Sequence, residues 1–252
     1  ISECLVGSEM CIRDSLQETP VFKKMRESKA LAKFPLEEVV KTSRFGIWIS
    51  MFITWVLTGC IVVFILLMPG FVGGVLGFSP FETTYFQMGG LVCIVSSCWL
   101  TGRLADKHNP STLCILFSAG FAVSSVAFFS LLYTAAPVVS EVVLAYFATC
   151  FFAGIMNFCP IFMCDVFPAR IRFSGISFAY NIAYALSGAF TPQLSFALHA
   201  YAKTHPDTLG AMGLSAYIVF LALVSIGTAL AMRRVYKNGG AAVSQMEFRP
   251  AP

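Results

Sequence analysis

Six apolar runs of about 20 to 25 residues lie between Phe45 and Arg234, near 45–68, 82–101, 112–133, 139–163, 174–198 and 211–232. Each is long enough, as a helix rising 1.5 Å per residue, to cross a hydrocarbon core about 30 Å thick. In that medium backbone N–H and C=O groups must be paired internally, so an open run facing lipid has to be helical. The fold class that follows is an all-α membrane protein with six transmembrane helices. Composition agrees: 57% of residues are apolar and 12% charged, against roughly 25% charged in soluble domains.

Basic residues orient the runs, because Lys and Arg collect in cytoplasmic loops. Lys23, Lys24, Arg26, Lys29, Lys33, Lys41 and Arg44 precede the first run; Arg103 and Lys107 follow the second, Arg170 and Arg172 the fourth, and Arg233, Arg234 and Lys237 the sixth. The intervening links hold Lys203 alone. Both termini are therefore expected in the cytoplasm. The bias also accounts for the net charge of +4, so the partner it implies is the lipid bilayer and not nucleic acid.

The chain divides into a leader at 1–15 that reads as foreign to the fold, a basic linker at 16–44, the helical bundle at 45–236 and a polar, disordered tail at 237–252. A short amphipathic helix is expected from Pro35 to Lys41. Pro69 and Gly70 are expected to end the first run, Pro160 to bend the fourth and Pro192 the outer end of the fifth. The sixth run is smooth and apolar, which points to a lipid-facing helix. Seven of nine cysteines fall inside or at the edge of apolar runs, no CxxC occurs, and His108, His199 and His205 are expected in loops. Those thiols read as small packing groups, with no metal and no cofactor. Without clustered metal ligands, a GxSxG elbow or a Walker loop, the chain does not read as an enzyme.

Function is concentrated between Asp165 and Thr191. Ser177, Tyr180, Asn181, Tyr184, Ser187, Gly188 and Thr191 step by three or four residues and share one helical stripe. Tyr184 lies about 15 Å along its helix, near the midplane. Polar groups there are costly against lipid, so Tyr180, Asn181, Tyr184, Ser187 and Thr191 read as cavity lining or as interhelical hydrogen bonding. Trp55 is too deep for an interfacial anchor and either packs or lines the same path. Gln87 sits about one turn below the outer edge, and Asn157 beside Pro160 is an interhelical hydrogen bond or a path group.

Two motifs carry a resemblance. Gly102-Arg103-Leu104-Ala105-Asp106-Lys107 resembles the cytoplasmic loop motif of the major facilitator superfamily. The family pattern continues with Gly and two basic residues, where this chain has Asn109, Pro110 and Ser111; Asn109 is expected to keep the turn in a left-handed conformation. The order D-x-F-P-x-R-x-R-x-S-G at Asp165–Gly175, with ETPVF at Glu18–Phe22, resembles the metabolite:proton symporter family of that superfamily. The resemblance covers about Glu18 to Tyr236. It implies the central loop and C-terminal six helices of a twelve-helix carrier, built as a three-plus-three inverted repeat. The implied partners are a missing N-terminal six-helix half, a small-molecule substrate (an organic acid or zwitterion) and protons, in a bacterial inner membrane.

A cytoplasmic gate is expected from Gly102, Arg103, Asp106, Lys107, Asp165, Pro168, Arg170 and Arg172, whose cations can hold helix C-termini, headgroup phosphates or Asp106 and Asp165. The plainer reading of those cations is membrane orientation. Glu82, Glu141 and Asp165 lie near membrane edges, so a coupling carboxylate would belong to the other half. The competing functions are a standalone six-helix channel, a membrane scaffold or a non-functional fragment.

Overall fold

The structure is a computed structural model that describes residues 35–134, 136–204 and 208–237. The leader, the linker up to residue 34 and the tail beyond Lys237 lie outside the described residues. Every described element is a helix.

Helix α1 (Pro35–Thr42) is the short amphipathic helix of the linker, with Glu37 paired to Lys41 one turn on at 2.5 Å and Val39 buried. Helix α2 (Arg44–Leu76) follows after one residue. Then come α3 (Pro80–Ala105), α4 (Pro110–Leu132), α5 (Val139–Val166), α6 (Arg172–Thr204) and α7 (Thr208–Lys237). Among the described residues, five helices are long and apolar enough to cross a membrane: α2 to α5, and α7 from Met212 onward. Helix α6 has 33 residues, about 50 Å at the helical rise, but its Tyr, Asn and Ser content keeps it outside that apolar set.

Helix ends follow local chemistry. Ser79 and Glu82 close a capping box at the start of α3, the Glu82 carboxylate accepting from Ser79 N–H at 2.7 Å. Asn109 caps α4, its side chain accepting from Ser111 N–H at 2.9 Å with φ −61°. The left-handed turn expected at Asn109 is not adopted, because an extended N-cap presents the side-chain oxygen to the orphan N–H groups. Pro69 and Gly70 do not end α2. Pro69 enters the first turn of a resumed α-helical stretch, where a missing N–H is tolerated. The helix stops instead at Gly77, in the left-handed region at φ 69°.

Two helices change their winding. Residues Ile61–Leu67 of α2 form a π-helical stretch, and Ala153–Asn157 of α5 tighten to a 3₁₀ turn, one turn before Pro160, which removes an N–H from the ladder. Pro192 is accommodated inside α6.

Helix α2 is the centre of the bundle. It packs on α6, on α7 and on the second half of α5, while α4 runs against α7 and α5, and α3 against α5. Helix α7 is thus an interior partner and not a smooth lipid-facing helix: Leu214, Ile218, Leu221, Ala222, Ala229 and Met232 are all buried, while Phe220 and Leu223 remain on its outer side. Two apolar clusters fill the bundle. One is aromatic, around Phe64, Phe121, Phe128, Phe129 and Tyr146; the other joins Ile53, Phe158, Phe162, Phe167 and Met232. The second lies at the end where α1, the start of α2 and the α5–α6 turn meet.

Candidate transport site

A polar network crosses α2, α6 and α7 within the membrane-length region. The Trp55 indole N–H donates to the Tyr217 hydroxyl at 3.4 Å, and that hydroxyl lies 2.7 Å from Thr191 Oγ1. Ser187 donates to the Trp55 carbonyl at 3.4 Å and stands 3.4 Å from Thr191 Oγ1. An indole N–H can only donate, so the Tyr217 oxygen accepts it and its proton is free to go to Thr191. Tyr217 was absent from the stripe read in the sequence because it is one tyrosine in an apolar helix. Its signal was chemical: a phenol at that depth needs a partner.

The stripe of α6 divides around this network. Gly175, Ala179, Ala183, Ser187, Thr191 and Ser195 recur every four residues and are buried, a small-residue line that lets α2 approach closely. Asn181 and Tyr184 stand beside it on the outside of the bundle, while Tyr180 is half-buried and packs against the second apolar cluster. Tyr184 is 42% exposed, its ring stacked on Tyr180 at 5.5 Å. Asn181 is exposed, its amide donating to the Ser177 carbonyl one turn earlier at 2.7 Å. Phe190, 50% exposed, continues this face and meets Trp55 edge-on at 6.0 Å.

Gln87 and Asn157 bind backbone carbonyls of neighbouring helices. Gln87 Nε2 donates to the Ile65 carbonyl at 2.7 Å, and Tyr146 donates to the Phe64 carbonyl at 3.0 Å. Both acceptors belong to the π-helical stretch, whose altered ladder frees carbonyls that neighbouring side chains re-satisfy. Asn157 Nδ2 donates to the Cys98 carbonyl and to Thr101 Oγ1, each at 3.2 Å, the interhelical hydrogen bond that its position beside Pro160 suggested.

At one end of the bundle, charged groups gather around the α5–α6 turn. Arg170 forms an ion pair with Glu38 of α1, both side chains largely buried. Asp165 accepts from the Tyr236 hydroxyl at 2.5 Å, and Arg172 Nε donates to the Phe167 carbonyl at 3.1 Å, holding the C-terminus of α5. The acids expected for Arg170 were Asp106 and Asp165; the structure supplies Glu38, because α1 folds back against the start of α6. Arg103 lies over the Trp99 ring at 4.0 Å, and Asp106 and Lys107 are exposed at the end of α3. A gate lattice joining the two motif loops is therefore not formed among the described residues; the Asp165–Arg172 turn instead joins α1 and α7. Pro168 starts this turn, accepting from Ile171 N–H at 3.1 Å, and Phe167 is wedged between Gly46 and Gly175, where an added Cβ would come within 2.8 and 2.7 Å of its ring.

The opposite end is closed by His199, which lies inside α6 because that helix runs on to Thr204, not in a loop as expected; its ring stacks on Phe71 at 4.0 Å, with Nδ1 2.5 Å from the Tyr133 hydroxyl. These contacts tie α6 to α2 and α4. No group of three or more metal-ligating side chains occurs among the described residues.

Long apolar helices, polar networks at their crossings and a charged cluster confined to one end define a multi-pass membrane protein. The chain matches the Major Facilitator Superfamily over residues 10–192 and belongs to that superfamily of transporters. It is 28% identical to the inner membrane metabolite transport protein YhjE of Escherichia coli (strain K12) over 227 residues, which cover 84% of this chain and 48% of that protein. It is 23% identical to the "Putative metabolite transport protein" of Haemophilus influenzae over 241 residues, 89% of this chain and 51% of that protein. The chain thus spans about half the length of the curated relatives it matches. No solved structure matches it significantly.

Proposed function

We propose that this chain is one six-helix half of a secondary carrier that moves a small metabolite, an organic acid or zwitterion, across a bacterial inner membrane by alternating access with proton symport. The observation that carries this reading is the uncovered face of α6. Asn181 and Tyr184 are exposed on the outer side of the bundle, with the half-buried Tyr180 stacked on Tyr184; lipid would be a poor neighbour for these polar groups at membrane depth, so that face turns to a water-lined path shared with a second half. In this reading α6 also crosses the membrane, fifth of six in chain order, and its polarity suits a wall of the path. Trp55, Ser187, Thr191 and Tyr217 back the wall, Gln87 and Asn157 hold the helices behind it, and both termini lie in the cytoplasm.

The gate is the Asp165–Arg172 turn with its partners Glu38 and Tyr236, with Gly102, Arg103, Asp106 and Lys107 on the neighbouring loop. A buried ion pair and a carboxylate hydrogen bond are contacts that can part and re-form as the bundle rocks. The test is uptake of candidate organic acids and zwitterions by proteoliposomes holding the full-length carrier. An inward proton gradient should drive accumulation, and Asn181→Ala should raise the apparent KM about tenfold, the value of one lost hydrogen bond. Uptake indifferent to the gradient would remove symport from the account, and unchanged kinetics in Asn181→Ala and Tyr184→Phe would reduce the stripe to helix packing.

A further inference from the structure

Near the end of the bundle that carries Arg170 and Tyr236, α2 and α7 leave between them a cleft of about 370 Å³. Phe45, Trp48 and Phe52 form one wall, and Val224, Gly227 and Ala231 the other. Its floor exists because residue 227 is glycine: a Cβ placed there would meet nothing within 4 Å. The lining is almost wholly apolar, so the cleft offers nothing to a polar metabolite. It opens on the side of two helices long and apolar enough to cross a membrane.

Both walls end in a cation. Arg44 lies four residues before Trp48, and Arg234 lies three after Ala231 and seven after Gly227, so each continues its wall by helical register toward the bundle end. Both arginines are exposed, and neither is in an ion pair among the described residues. Arg44 also opens α2, whose N-cap Ser43 makes no side-chain hydrogen bond to the first turn, a helix end suited to an anion.

We propose that this cleft is a binding site for an anionic phospholipid, one acyl chain lying along Gly227 between the aromatic wall and α7, its phosphate held by Arg44 and Arg234. The combination of an apolar groove at acyl depth and two cations at headgroup depth is the chemistry of that molecule. A second copy docking on the same face with two-fold symmetry would bring the arginines of both copies to one contact and repel. The site does not depend on what the carrier transports.

The experiment is native mass spectrometry of the full-length carrier with phosphatidylglycerol and phosphatidylcholine of identical acyl chains. The expected result is one retained phosphatidylglycerol with a preference of about twenty-five-fold, roughly fivefold for each basic side chain. The Arg44→Gln, Arg234→Gln double variant should lose the preference. Gly227→Leu should lose the lipid itself while leaving the folded carrier unchanged, since its side chain enters open space. Excess inorganic phosphate should not displace the lipid. Equal retention of the two lipids, retention undiminished in Gly227→Leu, displacement by phosphate, or no retained lipid because the other half covers the cleft would each overturn the proposal.

Discussion

Gly154 in the 3₁₀ turn of α5 shows how close the helices stand: a Cβ there would lie 2.1 Å from Ser97 Oγ on α3, an atom already buried without a partner. Gly154→Ala should therefore lower stability by about 1–3 kcal/mol, the usual result of overpacking. Gly188→Ala, whose Cβ meets nothing within 4 Å, should be neutral by comparison. Thermal unfolding of the two variants in detergent checks this, and equal midpoints would mean that α5 yields without strain. Tyr217→Phe strips a partner from the Trp55 N–H and from Thr191. Interhelical hydrogen bonds in membranes are worth about 0.6 kcal/mol and at most about 1.7, so the expected loss is of that size in the same assay. No loss would show that the Thr191 hydroxyl and the Trp55 indole are satisfied in other ways.

Between elements, two joints at opposite ends of the bundle are open to measurement. The Glu38–Arg170 pair fastens α1 to the α5–α6 turn. Breaking a largely buried pair leaves one charge uncompensated, so Glu38→Gln or Arg170→Gln alone should destabilise, and the double variant should recover part of the loss. A double-mutant cycle read by unfolding should give a coupling of about 1–3 kcal/mol, and additive losses would show that the two groups do not interact. At the other end, the His199 ring stacks on Phe71 and its Nδ1 lies 2.5 Å from the Tyr133 hydroxyl. His199→Gln should therefore lower the unfolding midpoint in the same assay, and an unchanged midpoint would mean that this joint carries no stability.

For the molecule as a whole, the apolar runs made the helices legible because a 20-residue stretch without charge has few other uses. Their ends and faces were less so. Pro69 and Gly70 looked like a stop, yet the π-helical register before them let α2 continue to Gly77, a choice made by tertiary contacts from Gln87 and Tyr146. Helix α7 looked uniform because its partners are other helices as apolar as lipid, so hydropathy could not mark its inner face. The stripe on α6 was legible as a set of residues, but only the packing separates Ser187 and Thr191, which turn to α2 and α7, from Asn181 and Tyr184, which turn away. Likewise the motif Asp165–Gly175 announced a special turn without announcing Glu38, which lies over a hundred residues away in sequence.

In the carrier proposed above, the outward face of α6 borders water, not lipid. It is tested by thiol labelling in a cysteine-free full-length carrier in membranes, with a small membrane-impermeant maleimide applied from each side. Cysteine at Asn181 or Tyr184 should react, whereas cysteine at the exposed apolar positions Leu144 and Val123 should not. If positions 181 and 184 stay as unreactive as 144 and 123, that face of α6 does not line a transport path.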